Sequence, residues 1–119
     1  MFRLPFTFAI LLLTPIGTLA ETRCGWLDNP TPANYWLTDA DGEWLMEVQG
    51  GYSAEGMDDL PDYGAGGWVE TNGSYGYGCA CLDLDVDHAT GLVIRIRSLA
   101  PLPLEKCWSD PALPKRVLR

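Results

Sequence analysis

Past residue 8 this sequence has no phenylalanine: Phe2, Phe6 and Phe8 are the full complement. It has a single histidine, His88, and 8 basic residues against 16 acidic ones. It has no apolar run long enough to span a bilayer. It also lacks a Gly-x-Ser-x-Gly element, a phosphate loop and a dinucleotide fingerprint. Each absence removes a class of function. A net charge of −8 argues against nucleic acid, which needs a basic footprint, and against anionic membranes. A Ser–His–Asp or Cys–His device would have to use His88, which falls in a predicted polar turn. No catalytic residue is therefore assigned, and no cofactor is implied. With phenylalanine confined to the start, the remaining aromatics are Trp and Tyr. Their polar handles suit shallow cores and binding surfaces.

The opening residues read as an export signal. Met1-Phe2-Arg3 is a short positive start, residues 4–13 are mostly apolar, and Pro15 and Gly17 break the run. Thr18-Leu19-Ala20 is a small-x-small cleavage site, which predicts cleavage after Ala20. Charge in Glu21-Thr22-Arg23 does not fit lipid attachment at Cys24. Residues 21–119 then form one small domain, with a frayed basic tail over 115–119. With Arg3 gone, 7 basic residues face 16 acidic ones, a net charge of −9. Such a surface suits a cationic partner or serves solubility alone.

All four cysteines, Cys24, Cys79, Cys81 and Cys107, lie in the mature part. An even count in a small exported chain predicts two disulfides. Cys79 and Cys81 sit two apart on a predicted strand over 75–86, so their side chains share a face. Cys24 and Cys107 each pair with one of them, in an order the spacing leaves open. Structural zinc sites use Cys-x-x-Cys knuckles, and the spacing here is Cys-x-Cys, so no metal is assigned. Asp83, Asp85 and Asp87 match the start of a calcium loop. Its sixth and twelfth positions would be His88 and Ile94, which is wrong for calcium.

Three hairpins organise the chain. Residues 35–38 and 43–48 flank an Asp/Gly loop; pairing Thr38 with Glu43 puts Tyr35, Leu37, Trp44 and Met46 on the core face. Trp36 then lies on the wetter face among carboxylates. Residues 68–71 and 74 onward flank Asn72-Gly73, a strong turn signal. The 75–86 strand turns at 87–90 and returns over 91–98. Leu92, Ile94 and Ile96 are expected on one face, and Arg95 and Arg97 beside Asp83 and Asp85 on the other. Pro101 and Pro103 predict an extended, unpaired segment, and Asp110-Pro111 the start of a short helical turn. The expected fold is all-β: a small antiparallel sandwich or open barrel of four to six strands, stapled by disulfides.

The loop over 49–67 is long for a compact domain and rich in glycine and acid. Its Tyr52, Glu55, Asp58, Asp59, Asp62 and Tyr63, together with Trp36, form the candidate binding surface. The leading expectation is an exported, non-catalytic module that binds a protein or glycan of the cell envelope. One alternative is an inhibitor of a cationic hydrolase such as lysozyme. Another is a small envelope hydrolase or a metal-binding protein.

Several stretches carry a resemblance. Arg-Cys-Gly-Trp-Leu at 23–27, Asn-Pro-Thr-Pro-Ala-Asn-Tyr-Trp-Leu-Thr-Asp at 29–39, Asp-Gly-Glu-Trp at 41–44, Tyr-Gly-Tyr-Gly-Cys-Ala-Cys-Leu at 75–82 and Pro-Leu-Glu-Lys-Cys at 103–107 stand in this order. Together they resemble a bacterial family of small exported proteins classed only as a domain of unknown function. The resemblance implies an envelope or secreted location and carries over no catalytic or binding residue.

Overall fold

The structure is a computed structural model describing residues 19–116. Most of the predicted export signal, and residues 117–119 of the predicted tail, lie outside the described residues. Six strands form the body: β1 (Leu19–Thr31), β2 (Asn34–Asp39), β3 (Gly42–Glu47), β4 (Val69–Asn72), β5 (Tyr75–Asp87) and β6 (Leu92–Leu102). One short helix follows, α1 (Leu104–Trp108).

β1, β2 and β3 are consecutive antiparallel neighbours, and β5 returns through a long connection to lie beside β1. That is a Greek key. β6 pairs antiparallel with β5 and touches β3 in parallel at Leu45↔Leu92, closing the ring. β4 is an extra strand on the free edge of β5. The all-β expectation thus resolves to a barrel rather than a sandwich, with one parallel seam. Five-stranded, partly open Greek-key barrels include the OB-fold, a likeness of architecture alone.

β1 closes the ring because it pairs on both edges. It runs against β5 from Leu19 to Asn29 and against β2 from Trp26 onward. Gly25 sits where the second pairing begins. A Cβ there would come to 2.1 Å from the Thr38 carbonyl oxygen, so only glycine admits the crossing backbone.

The barrel interior holds Leu27, Leu37, Trp44, Met46, Ala80, Leu82, Leu84, Val86, Val93 and Ile96. The first hairpin has the expected register, Thr38↔Glu43. A second, smaller core lies outside the ring, where Trp26, Val69, Tyr77, Cys79, Cys107 and Leu113 pack between β1, β4, β5 and the C-terminal segment. β5 is therefore buried on both faces, which explains its alternation of Ala and Leu with Tyr and Cys.

Both expected disulfides are present. Cys24 bonds Cys81 directly across β1 and β5, and Cys79 bonds Cys107 of α1. Disulfides belong to an oxidising setting. No helix among the described residues is long and apolar enough to cross a membrane.

Four local expectations need correction. First, bulges at Asp83/Leu84 and Asp85/Val86 shift β6 against β5, so Val93, Ile96 and Leu99 are buried in place of a strict Leu92, Ile94, Ile96 alternation. The same shift pairs only Arg97 with Asp85; Arg95 reaches Glu55, and Asp83 accepts from the Thr22 and Ser98 hydroxyls. Second, the Pro101 segment is paired, through Ala80↔Pro101 and Cys79↔Leu102. Proline is accepted on a strand edge because it gives up only its own donor. Third, Leu104 leaves the extended segment and begins α1; the turn expected at Asp110 is present after it, with the Asp110 carboxylate accepting from the Ala112 amide at 2.9 Å and its carbonyl from the Leu113 amide at 3.2 Å. Fourth, Arg116 is not frayed. It is docked on Asp28.

Candidate functional site

The 49–67 connection is packed onto the barrel. Ala54 and Met57 are buried, Glu55 bridges to Arg95, and Gly56 enters a 3₁₀ turn with positive φ. Its Cβ position would be 2.6 Å from the Ile96 carbonyl oxygen, so the glycine serves both conformation and close approach. The loop is thereby held firmly enough to present a surface.

Its far end forms the larger groove. Asp62, Tyr63, Gly64, Trp68, Glu70 and Ser74 line a volume of about 510 Å³. Asp62 accepts from the Gly64 amide at 3.2 Å, which turns the chain and aims Tyr63 inward. The Tyr63 hydroxyl lies 3.0 Å from that of Tyr35 and donates to Asn29 Oδ1 at 3.3 Å. Burial, reinforced by the Tyr63 contact, pushes the Tyr35 hydroxyl far above its ordinary pKa. Trp68 lies beside Tyr63, ring centroids 5.3 Å apart and tilted by 56°. Its indole N–H donates to the Ser74 carbonyl at 3.1 Å, fixing the ring. Beneath it, Gly78 leaves the space: a Cβ there would be 2.8 Å from Trp68 Cε3. Two half-buried rings and the exposed residues Asp62 and Glu70 thus line one groove.

A smaller groove of about 290 Å³ is lined by Trp36, Glu43, Leu45, Thr90 and Gly91. Trp36 is half-buried beside its cross-strand partner Leu45.

The sequence-predicted surface therefore divides. Asp62 and Tyr63 enter the large groove, and Trp36 lines the small one. Tyr52 donates to the Val93 carbonyl at 2.7 Å, and burial raises its pKa. Glu55 pairs with Arg95 at 3.0 Å. Asp58 and Asp59 are exposed on the 3₁₀ turn. Trp68, Glu70 and Ser74 were not singled out by sequence. The signal that identifies them is the Asn72-Gly73 pair, which marks a hairpin whose loop is Gly73-Ser74 and which lays Trp68 over Gly78.

A third cluster caps one end of the barrel. The Arg23 guanidinium bonds Asp39 at 2.7 Å, Asp41 at 2.9 Å and Glu21 at 3.0 Å, and lies 3.8 Å over the Trp44 ring. Burial opposes the charge, but the Asp39 and Asp41 bonds outweigh it and raise the Arg23 pKa. His88, largely exposed, places Nε2 2.7 Å from Glu21 Oε1 and its ring edge against Trp44. Each carboxylate here meets a cation or a donor, while the buried Arg23 Nε has no hydrogen-bond partner among the described residues. Among the described residues no three His, Cys, Asp or Glu side chains converge as metal ligands.

A family model described as "Protein of unknown function (DUF4087)" matches residues 18–114. The chain belongs to that family. The match takes in all six strands, both disulfides and every residue of both grooves, and carries no activity with it. No curated protein and no solved structure matches the chain.

Proposed function

We propose that the protein is an exported, non-catalytic module that binds a basic segment of another protein in the Tyr63–Trp68 groove. The observation that carries this reading is the presence in one groove of two adjoining aromatic rings, Tyr63 and Trp68, and two acidic residues, Asp62 and Glu70. A Lys or Arg side chain finds there a ring face for its stem and cation and a carboxylate for its N–H groups. The net charge of −8 adds long-range attraction for such a partner. Two disulfides in a small fold support an oxidising location, and the opening sequence supports signal cleavage after Ala20 and release into the periplasm or beyond. Support for a non-catalytic role comes from His88, which is engaged by Glu21 and Trp44 rather than set against a nucleophile. An inhibitor of a cationic hydrolase is one form this binding takes.

The test is calorimetric titration of the oxidised protein with an Arg/Lys-rich peptide at low and high salt. Binding that weakens with salt and falls about tenfold or more in Trp68→Ala supports the reading. Equal binding by wild type and Trp68→Ala removes the groove from the account. Binding of neutral glycan fragments in place of the peptide reassigns its ligand.

A further inference from the structure

We infer that Asp28 forms the base of an arginine-recognition pocket, which the chain's own Arg116 occupies as a tethered ligand that a partner's arginine can displace. Asp28 lies on β1 and is 5% exposed. Both its oxygens are taken by one guanidinium: Arg116 Nη1 donates to Oδ1 at 2.8 Å and Nη2 to Oδ2 at 3.0 Å. Thr38 Oγ1 donates to Oδ2 at 2.9 Å and holds the carboxylate in plane for that fork. The guanidinium carbon is 4.8 Å from the Tyr77 ring centroid and 5.4 Å from that of Trp26. A bidentate carboxylate between aromatic walls selects a planar guanidinium over an ammonium, which offers no fork and stacks poorly.

The occupant arrives from outside the barrel. The two residues are 88 apart in sequence, and Arg116 follows Pro114 and Lys115, which are exposed. The arm is anchored by buried Leu113 and by the Trp26 indole N–H, which donates to the Pro114 carbonyl at 3.0 Å. The Arg116 side chain retains 24% of its exposure while that of Asp28 retains 8%. The pocket is thus built into the rigid strand and the cation is supplied by the short arm. Exchanging Arg116 for a partner's arginine conserves every charge and hydrogen bond at Asp28. The arm competes through its high local concentration, so it sets a threshold that a free arginine side chain does not pass and a well-placed one on a docked partner does. This inference uses none of the residues of the Tyr63–Trp68 groove and does not depend on it.

The experiment compares wild type with Arg116→Ala, using N-acetylarginine amide and N-acetyllysine amide as probes. Thermal midpoint and the Trp26 indole proton resonance are read. The expected result is a lowered midpoint in Arg116→Ala that the arginine amide restores and the lysine amide does not. The wild type responds about tenfold or more weakly because the arm competes. Equal effects of the two amides, or equal responses of wild type and variant, overturn the proposal. Where Arg116→Ala does not fold unaided, Arg116→Lys is used instead. Failure of the arginine amide to raise that variant's midpoint above the lysine amide's effect also overturns it.

Discussion

Gly78 and Trp68 are fitted to each other: the strand residue has no side chain where the indole lies, and an added Cβ would be 2.8 Å from Cε3. Gly78→Ala should therefore lift the ring from β5 and break its bond to the Ser74 carbonyl. We expect redder, more quenchable Trp fluorescence and weaker binding of a basic peptide. The barrel interior should remain intact, because Trp68 packs outside it. Far-UV circular dichroism, which should not change, separates this from unfolding.

The two disulfides should differ in consequence. Chain entropy alone assigns about 4 kcal/mol to Cys24–Cys81, whose ends are 57 apart in sequence, and about 3.5 kcal/mol to Cys79–Cys107, whose ends are 28 apart. Packing reverses the order. Cys79 and Cys107 are 1% and 3% exposed in the second core, whereas Cys24 is exposed. Urea unfolding of C79S/C107S should show the larger loss, since burying polar hydroxyls against Trp26 adds to the lost crosslink. A thiol reductant should open Cys24–Cys81 first, as read by alkylation and mass.

The Asp85–Arg97 pair gives an acid signature. Two hydrogen bonds from Arg97, 2.9 Å each, hold the Asp85 carboxyl below the usual carboxylate range. The Thr22 and Ser98 hydroxyls do the same for Asp83. A depressed folded-state pKa stabilises the fold fully above the unfolded value of about 3.9 and loses that contribution as pH falls through the folded value. Asp85→Asn should cost about 1 kcal/mol at neutral pH, a modest figure because Arg97 is half exposed. Its stability should also fall less steeply than wild type below about pH 4. Equilibrium unfolding across the acid range reads both effects.

Arg23 is the cation that three carboxylates need. Its loss leaves Asp39, 6% exposed, with the Trp44 indole N–H at 3.0 Å and the Asp41 amide at 2.9 Å, beside the charges of Asp41 and Glu21. Arg23→Ala should cost about 3 kcal/mol or more. Double substitution with Asp39→Asn should recover part of it, which a double-mutant cycle measures.

Much of the fold could be read from short-range patterns. The Asp/Gly and Asn-Gly signals locate two hairpins, though the loops are the shorter Ala40-Asp41 and the shifted Gly73-Ser74, and Thr38↔Glu43 follows from the alternation. The β5–β6 pairing could be read but not its register. A bulge has no composition of its own, and two of them move Val93 into the core. The packing of 49–67 was hidden by its glycines and acids, because its fully buried residues are Ala54 and Met57, with Tyr52, Leu60 and Tyr63 partly buried against the core. Disulfide order depended on β1 lying against β5, a long-range pairing that spacing does not encode. For the site, Asp62 and Tyr63 could be read as an acidic aromatic loop. Trp68 could not, because its importance comes from the space left by Gly78.

The central claim is that the Tyr63–Trp68 groove takes a basic ligand, and the five tryptophans give it a direct test. Each indole N–H yields its own proton–nitrogen resonance, assigned by single Trp→Phe substitutions. Titration with an Arg/Lys-rich peptide should move the Trp68 signal first and most, leaving the buried Trp44 in place. Saturation with Trp68 unmoved, or with Trp36 moving instead, would contradict the account.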